Sequence, residues 1–179
     1  MTDINLPAAK APVRSYPDAD PDSDGAIVEL IELLFFAYRD FVSDPDKILK
    51  DYGFGRAHHR VIHFVGRHPG ICVAELLDIL RITKQSLGRV LRQLIDTGHV
   101  RQQPGPVDRR QRLLYLTPRG QELHERLMAP QAARVRAAIA AAGLDSGVAS
   151  RDMLFRLVDA SDRNHVLALL DRAAMHKTA

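Results

Sequence analysis

Residues 105–120 read GPVDRRQRLLYLTPRG, which places Arg109, Arg110, Arg112 and Arg119 beside a Gly-Pro turn and then runs straight into an apolar stretch. The segments HVRQQ (99–103) and QRLLYL (111–116) are strand-like and flank the turn-rich PGPVDRR. Leu114 and Leu116 alternate with Tyr115, so one face of the second strand can pack inward. The pattern predicts a two-stranded hairpin with a cationic tip. Arginines on a protruding loop can reach phosphates or enter a narrow minor groove, where negative potential is focused. Asp108, two residues before Arg110, is positioned to hydrogen-bond and orient that guanidinium.

Upstream of the hairpin, KQSLGRVLRQLIDTG repeats apolar residues at Leu87, Val90, Leu91, Leu94 and Ile95, with Thr83 as an N-cap and Gly98 as the stop. The opposite face carries Lys84, Gln85, Gly88, Arg89, Arg92 and Gln93, with no carboxylate before Asp96. A shorter helix, CVAELLDIL, precedes it across the link Arg81-Ile82-Thr83, giving a helix-turn-helix whose second helix enters a major groove N-terminus first. Lys84, Gln85, Ser86 and Arg89 then become the residues aimed at base edges, since Gln pairs with adenine and Arg with guanine in two-point fashion. Arg92, Arg109 and Arg112 are assigned to the phosphate backbone. A solvated basic face on an amphipathic helix is the plainer reading of the same residues.

Working further outward, residues 1–25 hold four prolines and five aspartates with few large apolar residues, the composition of a disordered arm. Residues 26–42 predict a helix with Ile27, Leu30, Ile31, Leu34, Tyr38 and Phe41 on one face and Val28, Leu33, Phe35, Phe36 and Val42 over much of the rest. Such a helix needs burial on more than one side, either between its own domain and a second subunit or at the centre of a monomeric bundle. A polar break at Pro45 and Gly53 follows, then a second helix, GRAHHRVIHFVGRH. After the hairpin, Thr117-Pro118 caps a long helix that runs to Gly143 and that Pro130 should kink or divide near Arg126. DSGVASRDMLFRLVDA (145–160) can add a helix, and SDRNHVLALLDRAA (161–174) closes the chain. The expected architecture is mainly α with a small β-hairpin: an arm (1–25), an N-terminal helix with its connection (26–54), a winged helix-turn-helix (55–120) and C-terminal helices (121–179).

Charge supports a polyanion-binding surface. The net charge of the 179 residues is only +3, yet residues 56–119 hold twelve Lys/Arg against four Asp/Glu. Clustered cations displace counterions from phosphates, the main source of non-specific nucleic-acid affinity. The single cysteine, Cys72, excludes an internal disulfide, and no signal-like segment opens the chain, so a cytoplasmic protein is expected. No apolar run is long enough for a membrane span, because Glu29 and Glu32 interrupt the greasiest segment. Hydrolase, Walker and zinc-protease motifs are absent, so no enzyme and no cofactor is expected.

The ordered set in residues 82–120 resembles the MarR (multiple antibiotic resistance regulator) family of winged helix-turn-helix regulators. It carries a recognition helix with a Leu-x-x-x-Gly-x-Val exit (Leu94, Gly98, Val100) leading into Arg101, an Asp-x-Arg wing (Asp108, Arg110) and a Leu-Thr-x-x-Gly start of the next helix (Leu116, Thr117, Gly120). The resemblance implies a homodimer built by N- and C-terminal helices, binding a pseudo-palindromic operator in double-stranded DNA, repressing transcription, and released by a small aromatic or phenolic anion or an oxidant. The segment 145–160 is longer than that family leads one to expect.

His58, His59, His63 and His68 crowd the second helix, and His59 and His63 stand four apart, a spacing that can share a metal. No cysteine or carboxylate cluster completes a tetrahedron, so no metal is assigned and structural histidines are the leading reading. The resemblance adds another: Tyr38, Arg39, His59 and His63 as contacts for the effector. Cys72 opens the third helix, away from where that family's redox sensors carry their cysteine, and reads as a small structural residue. A non-specific architectural DNA binder and a winged-helix protein-interaction module would use the same charged face.

Overall fold

The computed structural model describes Asp20 and residues 23–143 and 146–175, and the chain divides into two units after Tyr38. The acidic, proline-rich arm lies largely outside the described residues. The first unit contains the opening of α1 (Asp24–Lys50), where Ala26 N–H reaches the Ser23 hydroxyl at 3.4 Å. Along this part Ile27, Val28, Leu30, Ile31, Leu33, Leu34, Phe35, Phe36 and Tyr38 are all exposed.

The second unit holds the rest of α1, then α2 (Arg56–Arg67), β1 (Ile71–Cys72), α3 (Val73–Leu80), α4 (Lys84–Asp96), β2 (Val100–Pro104), β3 (Arg112–Leu116), α5 (Pro118–Ala142), α6 (Ser146–Arg156) and α7 (Arg163–Met175). Its core gathers Leu49, Val61, Ile62, Val65, Leu76, Leu87, Leu94, Leu114 and Leu123. Those are the apolar stripes of the helices and the inward face of the second hairpin strand, so periodicity and burial agree.

Three features differ from expectation. α1 does not break at Pro45 but continues to Lys50. Proline removes the N–H that would bond the carbonyl four residues back, here Phe41. The Gln131 amide donates to that carbonyl at 3.3 Å from α5, and Gln131 is itself buried, so the lost helical bond is replaced from outside the helix. α5 likewise runs through Pro130 without dividing; Arg126 is exposed, so water can hydrate the carbonyl that Pro130 leaves without a donor. Third, the hairpin is part of a three-stranded antiparallel sheet in the order β1-β3-β2, with Ile71 opposite Leu114 and Val100 opposite Leu116. Two residues are too short a strand to leave a period in the sequence. The segment after Gly143 does form its own helix, α6.

Candidate nucleic-acid interface

The helix-turn-helix is built by α3 and α4, whose Leu76, Leu80, Leu87, Val90, Leu91 and Leu94 enter the core. Between them Arg81 adopts a left-handed backbone with φ 49°, costly for a residue with a Cβ, and its guanidinium is paired with Asp162 at the start of α7. Thr83 then caps α4, its hydroxyl accepting from Ser86 N–H at 3.1 Å. The cap also engages the side chain of Ser86, 2.9 Å from the Thr83 hydroxyl, and leaves that residue half-buried. Ser86 is thus part of the helix start as well as of the proposed reading face.

With the apolar side turned inward, Lys84, Gln85, Gly88, Arg89 and Arg92 are exposed on α4. Gln93 is not among them. His58 Nδ1 accepts from Gly55 N–H at 3.1 Å, which puts the ring proton on Nε2, and Nε2 donates to Gln93 Oε1 at 2.9 Å. The Gln93 amide in turn donates to the Gly53 carbonyl at 3.3 Å, so this side chain locks α4 to the connection before α2.

The wing follows α4 directly. Gly98, at φ 72°, ends the helix, and β2 pairs with β3 so that Arg101 lies opposite Tyr115, its guanidinium 4.5 Å from the ring centroid. At the tip Gly105 N–H bonds Gln111 O and Gln111 N–H bonds Asp108 O, both at 3.0 Å. A Cβ on Gly105 would stand 2.6 Å from the Asp108 carbonyl, so this tight turn requires glycine. The Asp108 carboxylate accepts from the main-chain N–H of Arg110 at 2.9 Å, rather than from its guanidinium as the sequence suggested. It stiffens the turn and leaves the Arg110 head free. Arg109, Arg110 and Arg112 are exposed, and Val107, two residues before the first of them, is 98% exposed.

The start of α5 fixes the wing to the helices. Thr117 caps α5 through Gly120 N–H at 3.1 Å and donates its hydroxyl to Gly98 O at 2.6 Å, while its N–H bonds His99 O at 3.0 Å. Gly120 sits against that same His99 carbonyl. The Leu-Thr-x-x-Gly pattern is therefore the joint between α5 and the base of the wing.

The ion pairs of the described residues engage Arg39, Lys47, Arg56, Arg81, Arg134, Arg156 and Arg172. Lys84, Arg89, Arg92, Arg109, Arg110 and Arg112 are in none of them. These six cations on α4 and the wing are left without an ion pair among the described residues.

Of the four residues singled out for an effector, Tyr38 falls in the first unit and Arg39, His59 and His63 in the second. Tyr38 is exposed in the first unit, and Arg39 pairs with its neighbour Asp40 at 2.9 Å. His59 and His63 are instead joined by His124 of α5, whose ring centroid is 5.9 Å from that of His63. Burial pushes His59 and His124 below the usual imidazole range and takes His63 down to about 4, helped by the neighbouring His124 and His59. His124 escaped the sequence reading because it stands beside Leu123 on the core stripe of α5, where one histidine carries no periodic signal. Among the described residues no three His, Cys, Asp or Glu side chains converge as metal ligands, and no helix is long and apolar enough to cross a membrane. Cys72 is a half-buried free thiol at the N-cap of α3, its N–H donating to Glu75 at 2.8 Å.

Comparison with known proteins matches residues 52–111 to the profile of the MarR family. The chain is 48% identical over 141 residues to the HTH-type transcriptional regulator PetP of Rhodobacter capsulatus, spanning 79% of this chain and 85% of PetP. Among solved structures it resembles Streptococcus pneumoniae FabT in complex with DNA, with a TM-score of 0.64 at 18% identity over 73% of this chain and 94% of FabT. A mutant MarR from E. coli complexed with operator DNA gives a TM-score of 0.55 at 22% identity, over 74% of this chain and 94% of that one. These structures share the fold.

Proposed function

The chain belongs to the MarR family of helix-turn-helix transcriptional regulators, and from that premise we propose that it binds a pseudo-palindromic operator as a homodimer and represses transcription until a small-molecule effector releases it. Lys84, Gln85, Ser86 and Arg89 read the major groove, Arg110 enters the adjacent minor groove, and Arg92, Arg109 and Arg112 hold phosphates. The observation that carries this reading is the run of unpaired cations on α4 and the wing. An unpaired surface guanidinium is free to exchange its counterions for a phosphate without first breaking an internal ion pair. The DNA complexes of FabT and MarR support the same use of the fold.

The homodimer rests on α1. A monomer rarely exposes a continuous apolar face of this size, and covering each of these half-exposed side chains is worth about 1 kcal/mol. A second copy is the partner the chain always has available. Two-fold symmetry then places two recognition helices about 34 Å apart, one turn of B-DNA. A regulator of this kind works where the chromosome is, in the cytoplasm.

The test uses a duplex enriched from a random library by the wild-type protein. Arg89→Ala should cost about 1–3 kcal/mol and relax preference at one base pair, whereas Arg112→Ala should weaken all duplexes and flatten the salt slope by about one. Equal affinity for enriched and scrambled duplex would favour an architectural role. Wild-type affinity after charge reversal at both Arg89 and Arg110 would refute DNA binding through this surface.

A further inference from the structure

Val107 projects from the tip of the wing. At 98% exposure it is the barest large apolar side chain among the described residues. The other exposed ones lie on α1, α4, α5, α6 or α7, or directly after α6, where packing against another helix can cover them. Val107 has no such face to share. The turn beneath it is nevertheless firmly built. Pro104, opposite Arg112 at the end of the ladder between β2 and β3, and Pro106 each fix a backbone angle, and Gly105 leaves no room for a Cβ. The main-chain bonds from Gly105 to Gln111 and from Gln111 to Asp108, with the Asp108 carboxylate on Arg110 N–H, close the loop. Valine itself is stiff about χ1, so seating it against a partner sacrifices little rotamer freedom.

The surroundings select the partner. Arg109, Arg110 and Arg112 are exposed and in none of the ion pairs of the described residues, so the tip is a carbon point within a cationic collar. One side chain falls far short of the area a stable protein interface buries. A duplex groove meets both features: its phosphates take the guanidinium groups, and its sugars and base edges meet the carbon. Apolar side chains that enter a minor groove part neighbouring base pairs and kink the duplex, and the cost depends on the sequence being opened.

We propose that Val107 sets sequence preference without a hydrogen bond, entering the minor groove beside Arg110 as an apolar wedge that selects pyrimidine–purine steps, the most easily kinked. This rests on the regulator reading above and adds to it a side chain with neither charge nor polar atom. Burial of part of one valine corresponds to a change of about five- to tenfold in affinity.

The test uses the library-enriched duplex and the flank whose protection depends on Arg110. Enriched sequences should carry a TA, CA or TG step there. Reversing a TA step to AT keeps the acceptor pattern of the minor groove and alters its stiffness, so wild-type protein should bind the reversed duplex about five- to tenfold more weakly. Val107→Ala, and Val107→Thr with its similar shape and added hydroxyl, should lose a comparable factor on the original duplex and be indifferent to the reversal. Both should keep the wild-type salt slope, since no charge is removed, and the wild-type melting temperature, since the side chain packs on nothing. Absence of a pyrimidine–purine step from the flank, wild-type affinity in both variants, undiminished sensitivity of the variants to reversal, or a flattened salt slope would overturn the proposal. Wild-type protein that prefers the enriched duplex while both variants match it removes the wedge and leaves the regulator. Wild-type protein with no preference for enriched over scrambled duplex removes both.

Discussion

Replacing Gly120 with alanine opposes two local effects of opposite sign. Gly120 is the third residue of α5, where alanine favours the helix by about 1 kcal/mol. Against that, the new Cβ would lie 1.9 Å from the His99 carbonyl oxygen, so helix and wing base must separate by more than an ångström. Overpacking of this kind costs about 1–3 kcal/mol. The displaced carbonyl is also the acceptor for Thr117 N–H at 3.0 Å, and the Thr117 hydroxyl bonds Gly98 O at 2.6 Å, so two bonds worth about 1 kcal/mol each are at stake. The steric and hydrogen-bond losses win, for a net destabilisation of about 2–4 kcal/mol. For a chain of this length that lowers the melting temperature by about 5–15 °C, read by circular dichroism with urea unfolding as a second measure. A Gly120→Ala protein as stable as wild type would show that α5 and His99 do not meet as described.

Gly88, with nothing within 4 Å of its would-be Cβ and an exposed position on α4, gives the opposite result: Gly88→Ala should stabilise the fold by about 0.5–1 kcal/mol while weakening binding of the library-enriched duplex, a split read by thermal melting and fluorescence anisotropy. At Asp108 the two variants should part company. Asp108→Asn keeps an oxygen for Arg110 N–H and removes a negative charge from the tip, so its duplex affinity should match or exceed wild type, whereas Asp108→Ala should fall below it; a weakened Asp108→Asn would restore the guanidinium-orienting role. The buried histidines make the fold acid-sensitive. Unfolded His63 takes up its proton near pH 6.5 and the folded form only near 4, so the unfolded state binds more protons in that window and stability falls with decreasing pH, by at most about 3 kcal/mol from this residue. Urea midpoints of His63→Gln should decline less than wild type between pH 7 and 4, and parallel curves would contradict this.

The parts of the fold legible in the sequence were those specified by near neighbours. The period of Leu87, Val90, Leu91 and Leu94, the Thr83 cap and the Thr117-Pro118 start all rest on contacts within a turn or two, and each is found in place. What escaped depends on residues far apart. Pro45 reads as a breaker until Gln131, eighty-six positions later, supplies a donor to Phe41. Gln93 looks like part of a reading face until His58 and Gly53 claim its amide. His124 matters only for the His63 ring that stands across from it. The candidate interface shows the same division: the cations and their exposure follow from pattern, but the partner of the Asp108 carboxylate had to be seen.

Hydroxyl-radical footprinting of the library-enriched duplex tests the central claim most directly, because it reports the geometry of contact as well as its existence. Two protected patches about one helical turn apart, each flanked by minor-groove protection that disappears in Arg110→Ala, are the expected result. A single patch, uniform protection along the duplex, or a pattern unchanged by the loss of Arg110 would contradict the joint use of α4 and the wing.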